Sequence, residues 1–74
     1  MIIDRDAPQW PRNQAADRIR QRIQAGELGP KLPSHRELAA EMGVAPRTLD
    51  RALKILIDEG LIYSIPGLGT FVAS

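Results

Sequence analysis

Cysteine is absent from the sequence, and its aromatic residues are one Trp, one Tyr and one Phe. Without cysteine the chain has neither a disulfide framework nor a thiolate metal site, so its stability must come from an aliphatic core. No segment approaches the roughly 20 apolar residues of a membrane span. The first ten residues, MIIDRDAPQW, mix charged with apolar side chains and lack the apolar region of a signal peptide. These absences predict a cytoplasmic protein with no membrane segment.

Neither sign of charge is in clear excess. Ten Lys and Arg residues stand against nine Asp and Glu residues, which gives a net charge of +1. A chain of 74 residues buries only about 60 % of its unfolded surface, which is enough for one small core but not for a deep catalytic cleft. If such a domain binds nucleic acid, the location of its charges must matter more than their sum.

Residue patterns typical of catalysis or cofactor binding are also missing. Ser34 and His35 are adjacent, so at a helix start their side chains point in different directions, and Ser34 has a capping role. No metal-ligand spacing occurs, and "GLGT" lacks the lysine and following helix of a phosphate-binding loop. We therefore predict that the protein is not an enzyme and uses no cofactor or metal.

Proline separates an N-terminal arm from the folded domain. Pro8 and Pro11 flank Trp10, and proline at these positions disfavours helix and sheet alike. Residues 1–11 are therefore predicted to form an irregular arm, and residues 12–74 the domain.

Helix one is predicted over residues 12–25, "RNQAADRIRQRIQA". Ala16, Ile19 and Ile23 recur at helical spacing, and Gly26 follows as a C-cap. Its four arginines are interpreted as a solvated face. The connector that follows, "GELGPKLP", suits a short packed loop or a two-residue bridge of strand.

Two further helices are predicted close together. Ser34 precedes Glu37 by three residues, which is the spacing of a capping box, and Gly43 ends helix two after about two turns. Pro46 fits the first position of helix three, which is predicted to run to about Glu59.

The junction between these helices has the residue spacing of a helix-turn-helix. A steep crossing needs a small residue on helix two and a glycine in the turn, and Ala39 and Gly43 supply them. Val44 and Leu49 are then placed to fill the angle between the helices.

After Gly60 the apolar period changes from about 3.6 to 2. "LIYSI" and "TFVA" are predicted to be strands joined by the turn "PGLG", which together form a β-hairpin. A helix-turn-helix followed at once by a hairpin is the winged-helix arrangement. The predicted fold class is therefore mainly α with a small β-hairpin, a winged helix-turn-helix of three helices and a two-stranded wing.

Helix three has two distinct faces at 100° per residue. Its predicted core flank comprises Leu49, Ala52, Leu53, Leu56 and Ile57, and its opposite flank comprises Arg47, Arg51, Lys54 and Asp58. Arg47 and Arg51 are four residues apart, so in the free protein they repel by a few tenths of a kcal/mol. A polyanion would turn that repulsion into attraction, which points to double-stranded DNA.

Asp50 lies beside these cations, and several interpretations of it stay open. It neutralises an exposed face, or on DNA it orients Arg47 or Lys54, accepts a hydrogen bond from cytosine N4, or repels phosphate. We favour orientation and repulsion. Thr48 at the helix start is placed to reach a phosphate or a thymine methyl group.

Two other regions are candidates for contacts with DNA. Arg36 lies at the start of helix two, where the positive helix end favours a phosphate. Its neighbour His35 has no second ligand nearby and is interpreted as a solvated surface residue. The uncharged hairpin tip is either a plain turn or, through glycines such as Gly67, a close backbone approach to a phosphate or the minor groove.

The chain resembles the DNA-binding domain of the GntR family of bacterial transcription regulators over roughly residues 14–73. The motifs are "GEL", "LPSxRELA", "GVxxxT", "RALxxL", "EGLIY" and "GxGTFV", in the family's order. The resemblance implies that helix three enters the major groove and that the wing lies on the minor groove. It also implies DNA contacts at Arg36, Arg47, Thr48 and Gly67. Asp50, Leu68 in the wing and the short connector depart from the family pattern.

The sequence thus predicts a sequence-specific DNA-binding regulator that represses by occluding a promoter. The predicted DNA-contacting residues are Arg36, Arg47, Thr48, Arg51, Lys54 and Gly67. The alternative is a winged helix that has lost DNA affinity through Asp50 and Leu68 and docks a protein through its Trp10 arm or wing tip. A continuous positive surface would favour DNA, and its interruption by Asp50 and Glu41 would favour the alternative.

The predicted assembly state is a monomer in solution. Ile55 is the only large aliphatic residue outside the predicted core flank of helix three, and helix one has a narrow apolar stripe among arginines. Pairing is then expected on DNA or with a partner protein.

Overall fold

A computed structural model describes residues 11–73, which form three helices followed by two strands. The helices are α1 (Pro11–Gln24), α2 (His35–Met42) and α3 (Pro46–Asp58), and the strands are β1 (Ile62–Ile65) and β2 (Gly69–Val72). This confirms the predicted fold class. No helix in the described range is long and apolar enough to cross a membrane.

The predicted arm lies almost wholly outside the described residues, which begin at Pro11. Pro11 is the first residue of α1, one position earlier than the predicted start. Its fixed φ and missing N–H suit a first helical turn, where an N–H has no partner within the helix. The irregular arm over residues 1–10, including the role suggested for Trp10, stays a prediction.

The predicted capping residues stand at the ends of α1 and α2, although α1 and α3 each end one residue earlier than predicted, at Gln24 and Asp58. Gly26 takes a φ of +77°, and the next amide, that of Glu27, donates to the carbonyl of Arg22 at 2.9 Å, which closes α1. Ser34 Oγ accepts from the backbone N–H of Glu37 at 3.2 Å, one of the two capping-box bonds. Gly43 caps α2 in the left-handed conformation with a φ of 69°.

The core is aliphatic, as the absence of cysteine and the scarcity of aromatic residues require. Its buried members are Ala15, Ala16, Ile19, Leu28, Leu32, Leu38, Ala39, Met42, Leu49, Ala52, Leu53, Leu56 and Ile62. They come from all three helices, the connector and the first strand. Ala39 of α2 and Leu49 of α3 are both buried, and Val44 in the turn between these helices packs against the core, as predicted.

The prediction of the core face of α3 is wrong at one residue. Ile57 is 41 % exposed, whereas Ile55 packs against the core. Ile55 lies beside Asn13, Ala16 and Asp17 of α1. The packed face of α3 is therefore turned toward Ile55, because α1 covers that side of the helix.

The wing is an antiparallel hairpin held against the body by the connector. Ile62 pairs with Val72, and Ile65 pairs with Gly69. Lys31 forms an isolated bridge with Phe71, which confirms the predicted bridge of strand in the connector. The two faces of the hairpin differ, since Ile62 and Thr70 are buried while Tyr63 and Ile65 are exposed.

Candidate nucleic-acid interface

Three cations on the outer side of α3 form a surface that we call the basic face: Arg47, Arg51 and Lys54. All three side chains are exposed, and the opposite side of the helix is buried in the core. None of the three has an ion-pair partner among residues 11–73. Thr48, in the first turn of α3, is partly buried. The basic face therefore carries positive charge that the described part of the chain does not neutralise.

A shallow cleft extends the basic face toward the start of α1. Its volume is about 280 Å³, and it is lined by Arg12, Arg51, Lys54, Ile55 and Asp58. Arg12 thus lines the same cleft as two cations of α3, a proximity that no sequence pattern indicates. Only the packing of α1 across α3 brings these residues together.

The first turn of α2 adjoins the basic face. His35, the first residue of α2, has its ring Nδ1 3.1 Å from Asp50 Oδ1 on α3. Arg36 follows His35 and is exposed, with no ion-pair partner in the described range. Arg36 is accordingly available at the edge of the surface that Arg47 and Arg51 occupy.

His35 is exposed, as its interpretation as a surface residue requires, but it also has hydrogen-bond partners on two other elements. Its Nε2 also lies 3.0 Å from Thr70 Oγ1 in β2, so one ring touches α3 and the wing together. Asp50 and Thr70 lie 15 and 35 positions from His35 in the sequence. No local sequence signal predicts this cluster, because it depends on how the wing folds back over α2 and α3.

The same contact bears on the interpretation of Asp50. Its carboxylate bonds to His35, and no ion pair joins it to Arg47 or Lys54 among the described residues. Asp50 therefore does not orient either cation in the free protein. Its orientation of a cation on DNA and its repulsion of phosphate stay predictions.

The wing tip presents an uncharged, apolar end. Leu68 is 61 % exposed, and Gly67 before it has a φ of 82°. A Cβ added at Gly67 would meet no atom within 4 Å, so the backbone angle rather than lack of space favours glycine there. At Gly69 a Cβ would lie 2.9 Å from Lys31 Cε, which shows that the Lys31 side chain crosses the base of the tip.

Two arginines of α1 have structural partners, so their predicted solvated state is wrong. Arg20 donates from Nε and Nη2 to the two carboxylate oxygens of Glu59, at 3.0 and 2.6 Å, and also bonds to Asp17. The Glu59 carboxylate, and secondarily that of Asp17, raises the pKa of Arg20 above its ordinary value. Arg22 lies 3.6 Å from Glu41 of α2. Both side chains are only 25 % exposed.

The described residues provide no group of three or more His, Asp or Glu side chains that could hold a metal ion. The chemistry of the surface is therefore that of hydrogen-bond donors and positive charge presented to a ligand. The elements that carry it are the starts of α2 and α3 and the exposed side of α3.

The comparisons with known proteins agree with this geometry. The chain is 39 % identical over 75 residues to the "HTH-type transcriptional repressor NagR" of Bacillus subtilis, covering 99 % of this chain and 31 % of that protein. YtrA from Sulfolobus acidocaldarius, a GntR-family transcription factor, is 40 % identical with a TM-score of 0.82, covering 97 % of this chain and 78 % of that one. The chain thus spans less than a third of the length of the curated relative.

A solved structure with DNA has the same fold. The DNA-binding domain of AraR in complex with operator ORE1 has a TM-score of 0.85 at 30 % identity, covering 99 % of this chain and 98 % of that one. Residues 11–72 match the family described as "Bacterial regulatory proteins, gntR family". With that match over nearly all of the described residues, the chain belongs to the GntR family, and its fold is the winged helix of that family's DNA-binding domains.

Proposed function

We propose that the chain is the double-stranded-DNA-binding part of a transcriptional repressor, acting in the cytoplasm by occluding a promoter. The observation that carries this proposal is the basic face, whose three exposed cations have no acidic partner within residues 11–73. Support comes from the AraR domain, a structure of the same fold that is in complex with its operator. Catalysis and a cofactor have no part in the proposed function.

The proposed binding mode places α3 in the major groove. Arg47, at the N-terminal end of α3, is directed to a guanine edge, where an arginine donates two hydrogen bonds to O6 and N7. Thr48 contacts a phosphate or a thymine methyl group. Arg51 and Lys54 lie farther along the helix and contact phosphates, which position the domain without reading sequence.

The flanking contacts complete the proposed footprint. Arg36 holds a phosphate at the start of α2, where the helix dipole adds to its charge. Gly67 brings the wing backbone close to the minor groove, with Leu68 exposed beside it. These assignments extend the footprint from the base edges read by α3 to the backbone on both sides.

The distribution of acids favours DNA over the protein-docking alternative. Glu41 pairs with Arg22 of α1, away from the basic face. Asp50 lies among the cations, but His35 occupies one of its oxygens. The positive surface over Arg47, Arg51 and Lys54 is therefore less interrupted than the sequence alone suggests.

A fluorescence titration tests the proposal. Labelled duplexes selected from a random pool should bind at least about tenfold more tightly than random duplexes at physiological salt. A control variant with Arg47, Arg51 and Lys54 all changed to glutamine should keep the thermal stability of the parent and lose this binding. Equal, weak binding of the parent to all duplexes would instead support the protein-docking alternative.

A further inference from the structure

The His35 ring joins three elements that face the proposed DNA site. It is the first residue of α2, its Nδ1 contacts Asp50 of α3, and its Nε2 contacts Thr70 of β2. Within residues 11–73 it provides the one hydrogen-bonded side-chain link between α3 and the wing. This side-chain link acts beside the packing of Ile62 in the core, which also holds the wing to the body.

The donors and acceptors of this cluster match. An ionised carboxylate only accepts, so the proton between His35 and Asp50 is carried by Nδ1. The Thr70 hydroxyl both donates and accepts, so it satisfies Nε2 in either state of the ring. The ring is thus held at both nitrogens, and its orientation is fixed by two partners on different elements.

The far end of the cluster is anchored in the body of the domain. Thr70 is 4 % exposed, and its backbone carbonyl accepts from the N–H of Leu32 at 2.9 Å. Asp50 follows the fully buried Leu49 on α3, whereas its own side chain is 62 % exposed. His35 therefore links the buried Thr70 of the wing to an exposed carboxylate on α3.

We infer that His35 is a positioning residue that sets the spacing between the recognition helix and the wing. Through this spacing it determines which minor-groove base step the wing meets when α3 is seated on its major-groove bases. This inference rests on the proposed DNA-binding function. Under this inference Asp50 serves as the hydrogen-bond partner of His35 and contacts no base edge.

The first arm of the test needs no DNA. Residual dipolar couplings of backbone amides report the orientation of residues 62–72 relative to α3 in the free protein, for the parent, His35→Ala and His35→Gln. We expect the alanine variant to reorient or loosen the wing. The couplings of α1 and α3 should show that these two helices keep their parental orientation relative to each other. Glutamine, whose amide donates and accepts, should restore much of the parental orientation. Unchanged wing couplings in the alanine variant would overturn the inference.

The second arm measures discrimination. Each protein is titrated with a selected half-site and with the same duplex changed only at base pairs on the wing side. His35→Ala should lower the affinity ratio between the two by about three- to tenfold, the range that net hydrogen bonds supply. The neighbouring Arg36→Gln is the matched control, since a lost phosphate contact weakens both duplexes equally and leaves the ratio unchanged.

The outcomes separate the two proposals. A uniform loss for both duplexes in His35→Ala would make His35 a phosphate contact and overturn its positioning role. If the parent shows no preference among duplexes, the proposed function fails, while the couplings still decide whether His35 positions the wing.

Discussion

Arginine serves two different purposes on the two sides of this domain. On α1, Arg20 and Arg22 pair with acids of the neighbouring helices and are only 25 % exposed. On α3, Arg47 and Arg51 are exposed and have no acidic partner among the described residues. The net charge of +1 sums both sets and so conceals the difference. What marks a surface for a polyanion is the absence of local neutralisation.

The largest expected effect comes from breaking the core that both sides share. Leu53 is 2 % exposed in the middle of α3, so Leu53→Ala should lower the free energy of unfolding by roughly 2–5 kcal/mol, enough to unfold much of so small a domain. Urea denaturation followed by circular dichroism measures it. Ile57→Ala is the matched control, since Ile57 is 41 % exposed and its truncation should cost below about 1 kcal/mol. Comparable losses at both positions would contradict the orientation of α3 described above.

Replacement of a cation on the basic face should weaken specific binding without affecting the fold. Arg47→Ala is expected to cost about 1–3 kcal/mol of binding to the selected duplex and to relax the base preference at one position. Arg18→Ala, an exposed arginine on α1, is the control and should change binding little. An equal loss on every duplex would reassign Arg47 to a phosphate.

Local signals accounted for most of the fold. Gly26 and Gly43 end their helices with positive φ, Ser34 caps α2, and the change to a period of 2 after Gly60 marks the wing. Each of these depends on residues within a few positions of one another. They are therefore readable before any tertiary contact is known.

The features that were missed all depend on how separate elements meet. The choice between Ile55 and Ile57 lies at the edges of the apolar arc, and only the position of α1 decides it. Arg20 bonds to Glu59, which lies 39 residues away in the sequence, and His35 bonds to Thr70, which lies 35 residues away. A charged or polar side chain has many compatible partners in a sequence, so composition and spacing do not select one.

The ion-paired arginines of α1 are expected to contribute to the stability of the fold and not to DNA binding. Glu59→Gln removes the carboxylate that Arg20 grips with two hydrogen bonds, and both side chains are partly exposed, at 40 % and 25 %. Because solvent screens such a pair, the loss of unfolding free energy should be about 0.5–1 kcal/mol and should shrink in high salt. Titration with the selected duplex should be unchanged. A weakened affinity with parental stability would place Glu59 in the binding surface instead.

The smallest expected change, and the one that most directly compares the two sides, is in the salt dependence of binding. Each phosphate neutralised by a cation releases counterions, so log K falls against log salt with a slope of about −0.9 per contact. The cations expected to reach phosphates or base edges are Lys31, Arg36, Arg47, Arg51 and Lys54. A single domain should then show a slope of about −4 and only modest affinity for one half-site. Lys54→Gln should reduce the slope by about one contact, whereas Arg22→Gln, which removes a cation already paired with Glu41, should leave it unchanged. Equal reductions in both variants would mean that the total charge of the protein, and not the local contacts, sets the salt dependence. The distinction between paired and unpaired arginines would then have no bearing on DNA binding.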